Sequence, residues 1–371
     1  MEQSFQTRAL GLYLHIPFCL SRCPYCNFFS QPFNKQAFRH YYELILRQKE
    51  LSRELLSRPL KSVYFGGGTP SLLSTEQTNG ILEGLPLSDD CEITLEINPL
   101  MITESYVQEL KTTPINRLSL GVQSFQDKEL IYLGRKHRAA DIPPRIELLN
   151  KHGYSNLSLD LIYGIPSSTL DDLDYSLRSL TALPIQHIST YLLEIEPHSP
   201  LAKDIPLIPK DSILEEMYHH IRERLNDAGF AQYEISNFAR AGKKSRHNLL
   251  YWQGKDYLGF GASSWGYFGG RRYYFPSDIA EYESLISRGE VLGIEDEEAC
   301  ERTDFIMMGL RLLDGLDLGE YQTRFAEDLL ASKAKEIKRL TEQDMIFLDG
   351  KRLKIQPHAL FISNAVISEL I

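Results

Sequence analysis

Cys19, Cys23 and Cys26 stand in a C-x3-C-x2-C spacing directly after the apolar run Leu12–Phe18. Cysteine thiolates hold the iron of iron–sulfur clusters, and three of them so close together are one ligand short of closing a four-iron cluster. The spacing predicts a [4Fe–4S] cluster with one iron left open, where a substrate or cofactor can bind. A structural zinc site takes four closed ligands, and after Cys26 no further Cys or His follows before His40. A Cys23/Cys26 redox pair leaves Cys19 unexplained, with no thioredoxin-sized unit around it. Three buried structural thiols sit poorly in a stretch that carries Ser21, Arg22 and Pro24. The context favours the cluster.

Other chemistry-bearing residues follow at intervals. Gly66-Gly67-Gly68-Thr69-Pro70 comes after the apolar Val63, Tyr64 and Phe65. Consecutive glycines let backbone approach a ligand and permit positive φ; alone, the same residues also describe a tight turn before a proline-initiated helix. Glu96, Gln123, Arg135 and Asp160 are polar residues at or just beyond the ends of apolar runs. Carboxylates can accept from ribose hydroxyls or an amino group, and a guanidinium can grip a carboxylate with its planar fork. Each taken singly is more often a solvated side chain or a local cap, and only their places in a repeated topology lift them.

The elements that must position them alternate over the first 230 or so residues. Strands are predicted at Leu12–Ile16, Ser62–Phe65, Ile93–Ile97, Arg117–Leu120, Leu157–Ile162 and His187–Leu192. A helical stretch over Lys35–Ser57 places Phe38, Tyr42 and Ile45 on one face, with Asn34 as N-cap. Thr169 and Asp172 form a capping box for a helix to about Ala182. Asp211 is the expected cap of a helix ending at Gly229. Repeated βα units imply parallel strands, and six of them predict an α/β fold, an open (β/α)6 partial barrel. In such barrels chemistry sits at the C-terminal ends of the strands, and that is where the unusual residues fall.

Together, Tyr13-Leu-His-Ile-Pro-Phe-Cys19, Gly66–Pro70, Leu120-Gly-Val-Gln-Ser-Phe125 and Asp160-Leu-Ile-Tyr-Gly-Ile-Pro166 resemble the HemN/HemW group of radical-SAM proteins over nearly the whole chain. That group includes oxygen-independent coproporphyrinogen III oxidases and haem chaperones. The resemblance implies cluster ligands Cys19, Cys23 and Cys26. It implies contacts to S-adenosylmethionine (SAM) at Tyr13, Tyr25, Gly67, Gly68, Thr69, Glu96, Gln123, Arg135 and Asp160.

Two features separate the branches. The oxidases carry a further cysteine two positions after the third; here that position is Phe28, which cannot ligate iron or relay a proton. His247-Asn248-Leu-Leu-Tyr251-Trp252 is similar to the HNxxYW motif that marks the chaperones and is implicated in haem binding. Imidazole ligates haem iron, and flat aromatic rings stack on a porphyrin. On residue type alone His247 is more often an ordinary loop histidine beside a buried Tyr-Trp pair; the resemblance of the rest of the chain reverses that. Arg240, Lys243, Lys244 and Arg246 form a basic cluster just before it, expected to pair with haem propionates, although short charge runs are usually solvated. The expected function is a haem chaperone that binds a [4Fe–4S] cluster, SAM and haem and passes haem to acceptor haem proteins. The alternative is an oxidase that decarboxylates coproporphyrinogen III by radical chemistry.

The remainder bounds these readings. The chain has 371 residues, 43% of them apolar, and a formal net charge of −10, against the basic footprint of nucleic-acid binders. Its five cysteines include Cys91 and Cys300 far apart, which fits free thiols in a reducing cytoplasm. Met1–Leu10 contains no secretory apolar stretch, and no run approaches the length of a membrane span. Expected partners are haem and acceptor haem proteins such as respiratory enzymes. Peripheral contact with membrane-bound acceptors and a homodimer are both compatible with the sequence, and no nucleic acid is expected. Three segments are expected: a barrel over 1–238, a link over 239–299 carrying the HNxxYW motif, and a helical, winged-helix-like module over 300–371. In the link, Gly259–Tyr274, rich in glycine and aromatics, is expected to close the barrel mouth or simply to pack. In the module, helices are expected at Thr303–Leu313, Tyr321–Leu340 and Pro357–Leu370, around an Asp349-Gly350 hairpin.

Overall fold

The computed structural model describes residues 9–371; the reading of Met1–Leu10 as free of a secretory signal lies, up to residue 8, outside the described residues. Six parallel strands form the barrel: β1 Leu10–Ile16, β2 Leu60–Gly67, β3 Leu87–Ile97, β4 Arg117–Gln123, β5 Leu157–Tyr163 and β6 His187–Leu192. They are hydrogen-bonded in chain order. The period of two along each strand divides the side chains between two environments. Leu10, Leu12, Leu14 and Ile16 of β1 are buried in the apolar core with Val63 and Phe65 of β2. Between them, Gly11, Tyr13 and His15 share the inner face with Ser62, Tyr64 and Gly66. The lumen is therefore polar, and the core lies between the barrel and its helices.

Local chemistry sets the helices. Asn34 Oδ1 accepts from the backbone N–H of Gln36 and Ala37, both at 3.0 Å, and starts α1, Lys35–Leu51. The helix is shorter than expected; Phe38, Tyr41, Leu44 and Ile45 form its buried stripe, and a separate turn at Leu55–Ser57 buries Leu56. The Thr169/Asp172 capping box is present, on a helix over Leu170–Thr181. Asp211 is the first residue of its helix rather than the cap, since Lys210 holds the cap position without a side-chain bond. Gly229, at φ +81, follows that helix as expected.

The segment expected as a link is built into the sheet. Asp256–Phe260 runs parallel to β1 on its free edge, and Trp265–Phe268 and Arg271–Tyr274 follow antiparallel. Gly259–Tyr274 thus extends the sheet edge instead of covering the mouth, and packing is its role. A helix over Arg246–Trp252, here called the floor helix, lies against β1, β2 and Asp256–Phe260.

The C-terminal module starts with the helix Glu301–Arg311. Where one helix was expected over Tyr321–Leu340, three short ones occur, at Leu318–Phe325, Leu329–Ser332 and Ala334–Glu342. The chain breaks at Ala326, at φ +52, and restarts where Asp328 caps the next helix. Ile346–Asp349 and Arg352–Ile355 form the expected hairpin around Gly350, joined by Leu316–Asp317 as a third strand. The last helix covers only Ser363–Ser368. The module is tied to the barrel by Leu313 N–H to the Tyr233 carbonyl (3.1 Å) and Arg222 to the Pro357 carbonyl (2.7 Å). No helix among the described residues is long and apolar enough to cross a membrane.

Candidate cofactor site

The cysteine loop leaves the top of β1 and is fastened at its base. Gln31 N–H donates to the Pro17 carbonyl (2.7 Å) and Phe33 N–H to the Cys19 carbonyl (2.9 Å). Within it, Cys26 N–H closes a turn onto the Cys23 carbonyl (3.1 Å). All three thiols are free and partly exposed. Thr69 Oγ1 donates to the Cys19 sulfur (3.5 Å) and Arg135 Nη1 to the Cys23 sulfur (3.6 Å). Burial pushes the Cys26 thiol up, partly offset by a hydrogen bond from the Phe28 backbone; a bound metal would reverse that balance. Among the described residues no three His, Cys, Asp or Glu side chains are grouped closely enough to hold a single metal ion. His40, the nearest downstream histidine, is bonded to Glu283 (3.0 Å) instead.

The glycine run packs against this loop. Gly68 N–H donates to the Ile16 carbonyl (2.9 Å), and a Cβ on Gly68 would lie 2.7 Å from the Phe18 carbonyl oxygen. Gly67 sits at φ +110, its missing Cβ against the His15 ring. Tyr13 and His15 then brace the loop from inside. The Phe29 carbonyl can only accept, so His15 Nε2 donates to it (3.0 Å), and Nδ1 accepts from Tyr13 OH (3.1 Å). Burial lowers the His15 pKa, consistent with this neutral tautomer.

The acids lie one level inside the mouth. Glu96 accepts from Tyr64 OH at 2.8 Å; burial and the charge of Asp160 push its carboxyl up to about 7. Burial raises Asp160 to about 6, held there by Arg117 and by the Ser189 and Ser119 hydroxyls. Gln123, at φ +74, bends the end of β4. Arg135 Nη2 donates to the Gly121 carbonyl at 2.5 Å, while its Nε is buried with no partner. Tyr25 packs with Leu133, Ile162, Ile165 and Leu193 beside the mouth. The residues expected to serve a cluster and a polar ligand are thus gathered at one end of the barrel, with His247 the exception.

His247 is placed apart from the mouth. It lies on the floor helix, only 1% exposed. Its Nδ1 is bonded to Ser62 Oγ (2.8 Å) and its Nε2 to Tyr251 OH (2.6 Å). The ring stacks under Tyr13 and Tyr64. Glu92 Oε1 accepts from the Arg246 and His247 backbone N–H groups (2.9 and 3.3 Å), fixing the helix beneath the barrel. Three residues of the basic cluster have partners: Arg246 with Asp90 (2.9 Å), Arg240 with the Ile185 and Ala228 carbonyls, and Lys244 with Asp314 (3.9 Å). Sequence reasoning missed Tyr64, His15 and Arg117, although their alternation with apolar neighbours on predicted strands was the available signal.

A Radical SAM superfamily model matches residues 13–180 and a HemN C-terminal domain model matches residues 301–362. The chain is 32% identical to the heme chaperone HemW of Bacillus subtilis over 369 residues, covering 95% of this chain and 97% of the relative. It is 33% identical to the heme chaperone HemW of Escherichia coli, covering 88% and 89%. In structure it matches coproporphyrinogen III oxidase (HemN) of Escherichia coli with a TM-score of 0.83 over 98% of this chain and 90% of the other, at 20% identity. That likeness concerns the fold.

Proposed function

The chain belongs to the HemW family of radical-SAM proteins, and on that premise we propose that it is a haem chaperone that binds a [4Fe–4S] cluster and SAM and passes haem to acceptor haem proteins. The observation that carries the site reading is one loop at the barrel mouth bearing three thiols outside any disulfide, with Thr69 on the Cys19 sulfur and Arg135 on the Cys23 sulfur. Three thiolates without a fourth protein ligand suit a cluster with an open iron. The orphaned Arg135 Nε, buried in the mouth, fits a site that receives a carboxylate.

In this reading Cys19, Cys23 and Cys26 hold the cluster. Gly67 and Gly68 bring backbone close to the ligand, Thr69 orients the Cys19 sulfur, and Glu96 and Asp160 accept from its ammonium and ribose hydroxyls. Arg135 bridges the cluster loop and the ligand carboxylate, and Gln123, Tyr25 and Tyr13 complete the wall. When bound, a reduced cluster and SAM supply radical chemistry. Phe28, 65% exposed on the loop, offers no ligand or proton there, which weighs against the oxidase. His247 enters this proposal as the post that supports Tyr13 from below, and the haem ligand is left to other residues. The same reading carries cytoplasmic placement, respiratory haem proteins as acceptors, some of them membrane-bound, and a homodimer.

The test is anaerobic haem titration of cluster-reconstituted protein, read in the Soret band, followed by transfer to an apo-haemoprotein. Stoichiometric binding and transfer support the chaperone. No specific haem binding, together with consumption of coproporphyrinogen III in the presence of SAM and a reductant, overturns it.

A further inference from the structure

Arg117, the first residue of β4, points into the lumen and is 2% exposed, among the largest side chains that the fold buries. Its Nε is shut from solvent without a hydrogen-bond partner, and none of the described ion pairs includes it. Its register neighbour on β3, Thr94, carries a second orphaned atom, Oγ1. A buried guanidinium nitrogen left without a hydrogen bond is costly. Its surroundings explain what it faces: Glu92 of β3, Tyr64 of β2, Asp160 of β5 and Tyr233 all interact with its charge. Ser119, the next inward residue of β4, is paired with Glu96 in register and bonded to Asp160 (3.4 Å), which itself pairs with Gly121, so Arg117 lies one inward position below Glu96 and two below Asp160.

We propose that Arg117 is a positioning residue whose fixed charge, beneath the SAM site, favours the charged forms of Asp160 and Glu96 through which they accept from the ligand. This rests on the SAM-site reading above. Two carboxylates sharing a water-excluded lumen cannot both ionise readily unless a cation offsets their repulsion. The groups facing them are Tyr13 and Tyr64 from β1 and β2, Glu92 from β3, Tyr191 from β6, Tyr233 and Glu234 beyond it, His247 from the floor helix, and Tyr25 and Arg135 at the mouth. Of these only Arg135 is a further cation, and it is committed to Cys23 and Gly121. Burial already holds both carboxyls above their usual range. Loss of the Arg117 charge raises them further, so the neutral forms persist to higher pH and the acceptors are lost near neutrality.

The experiment is equilibrium SAM binding to anaerobically reconstituted protein between about pH 6 and about pH 9, for the parent, Arg117→Gln, Arg117→Met and Arg117→Lys. Iron content and visible absorbance are matched across the set, and the ammonium of SAM titrates identically in all four. Both neutral variants are expected to shift the binding midpoint up by about one pH unit, the low end for loss of a nearby opposite charge. Affinity near pH 9 should come within about twofold of the parent, and Arg117→Lys should keep the parent's midpoint. A loss of affinity equal at every pH, or no change, overturns the proposal. So does failure of both neutral variants to fold while Arg117→Lys folds, which makes Arg117 a structural brace. If the parent itself binds no SAM, the site reading fails and this inference falls with it, an outcome distinct from a parent that binds and variants that do not shift.

Discussion

Replacement of His247 by Gln separates a buried support from a ligand. The imidazole bonds Ser62 Oγ and Tyr251 OH, and Gln can meet one of these partners but not both. A buried hydroxyl left unsatisfied costs about 1–3 kcal/mol, which is the loss expected near neutral pH. Burial, with a smaller contribution from Arg117, lowers the His247 pKa to about 3, so the folded protein keeps it neutral under mild acid. The unfolded chain protonates the same histidine below its ordinary pKa of about 6.5. More protons on the unfolded state mean that stability falls as pH drops below about 6.5, a loss complete only near the folded pKa. At about pH 5 the gap spans about 1.5 pKa units, or about 2 kcal/mol. The variant lacks this penalty, so its deficit against the parent should shrink by about 2 kcal/mol between about pH 7.5 and about pH 5. His15, His137 and His187, also lowered, contribute to both proteins and cancel in the difference. Glu96 and Asp160, raised in the fold, act in the opposite sense and cancel likewise. Urea unfolding at the two pH values measures the quantity. An unchanged deficit would refute the buried, neutral His247.

Further outcomes follow from other parts of the site. Gly68→Ala should abolish SAM binding and lower stability by about 1–3 kcal/mol, because its Cβ meets Phe18 backbone that cannot yield; a parent-like urea midpoint would count against that packing. In cluster-loaded protein, alkylation followed by mass spectrometry should modify Cys300 first. That thiol is exposed and lowered by a hydrogen bond from Thr303, whereas Cys91 is buried and pushed up to about 12. Stripping the cluster should then expose Cys19, Cys23 and Cys26 to the reagent, and equal labelling before and after stripping contradicts their role as ligands. Tyr251→Phe should destabilise by about 1 kcal/mol, the worth of one neutral hydrogen bond, with cluster content unchanged. Loss of the cluster in that variant would instead tie the floor helix to the cysteine loop.

The barrel strands are legible because most bury an unbroken apolar face. His187–Leu192 agrees to the residue, and the others differ at their ends, most at Leu87–Ile97, which starts well before the expected Ile93. The cysteine loop and glycine run were legible because their spacing is local. The floor was not. Whether His247 meets a ligand or Ser62 depends on how a helix 185 residues downstream tucks under β2, and no periodicity encodes that contact. Asp211 misled for a related reason, since a good capping residue one position inside a helix looks the same in sequence as the cap itself. Arg117 stayed hidden because a charged residue opening a predicted strand usually faces water. The long helix expected over Tyr321–Leu340 failed at Ala326, a good helix former that the chain holds in the left-handed region.

The floor helix also dictates a sequence of arrivals. With Glu92, Arg117, His187 and His247 all buried beneath the acids, the lumen is a blind cup whose rim carries the cysteine loop. On the proposed reading, a ligand held at the acids would have to enter before a large partner covers the rim, and would leave only after that partner does.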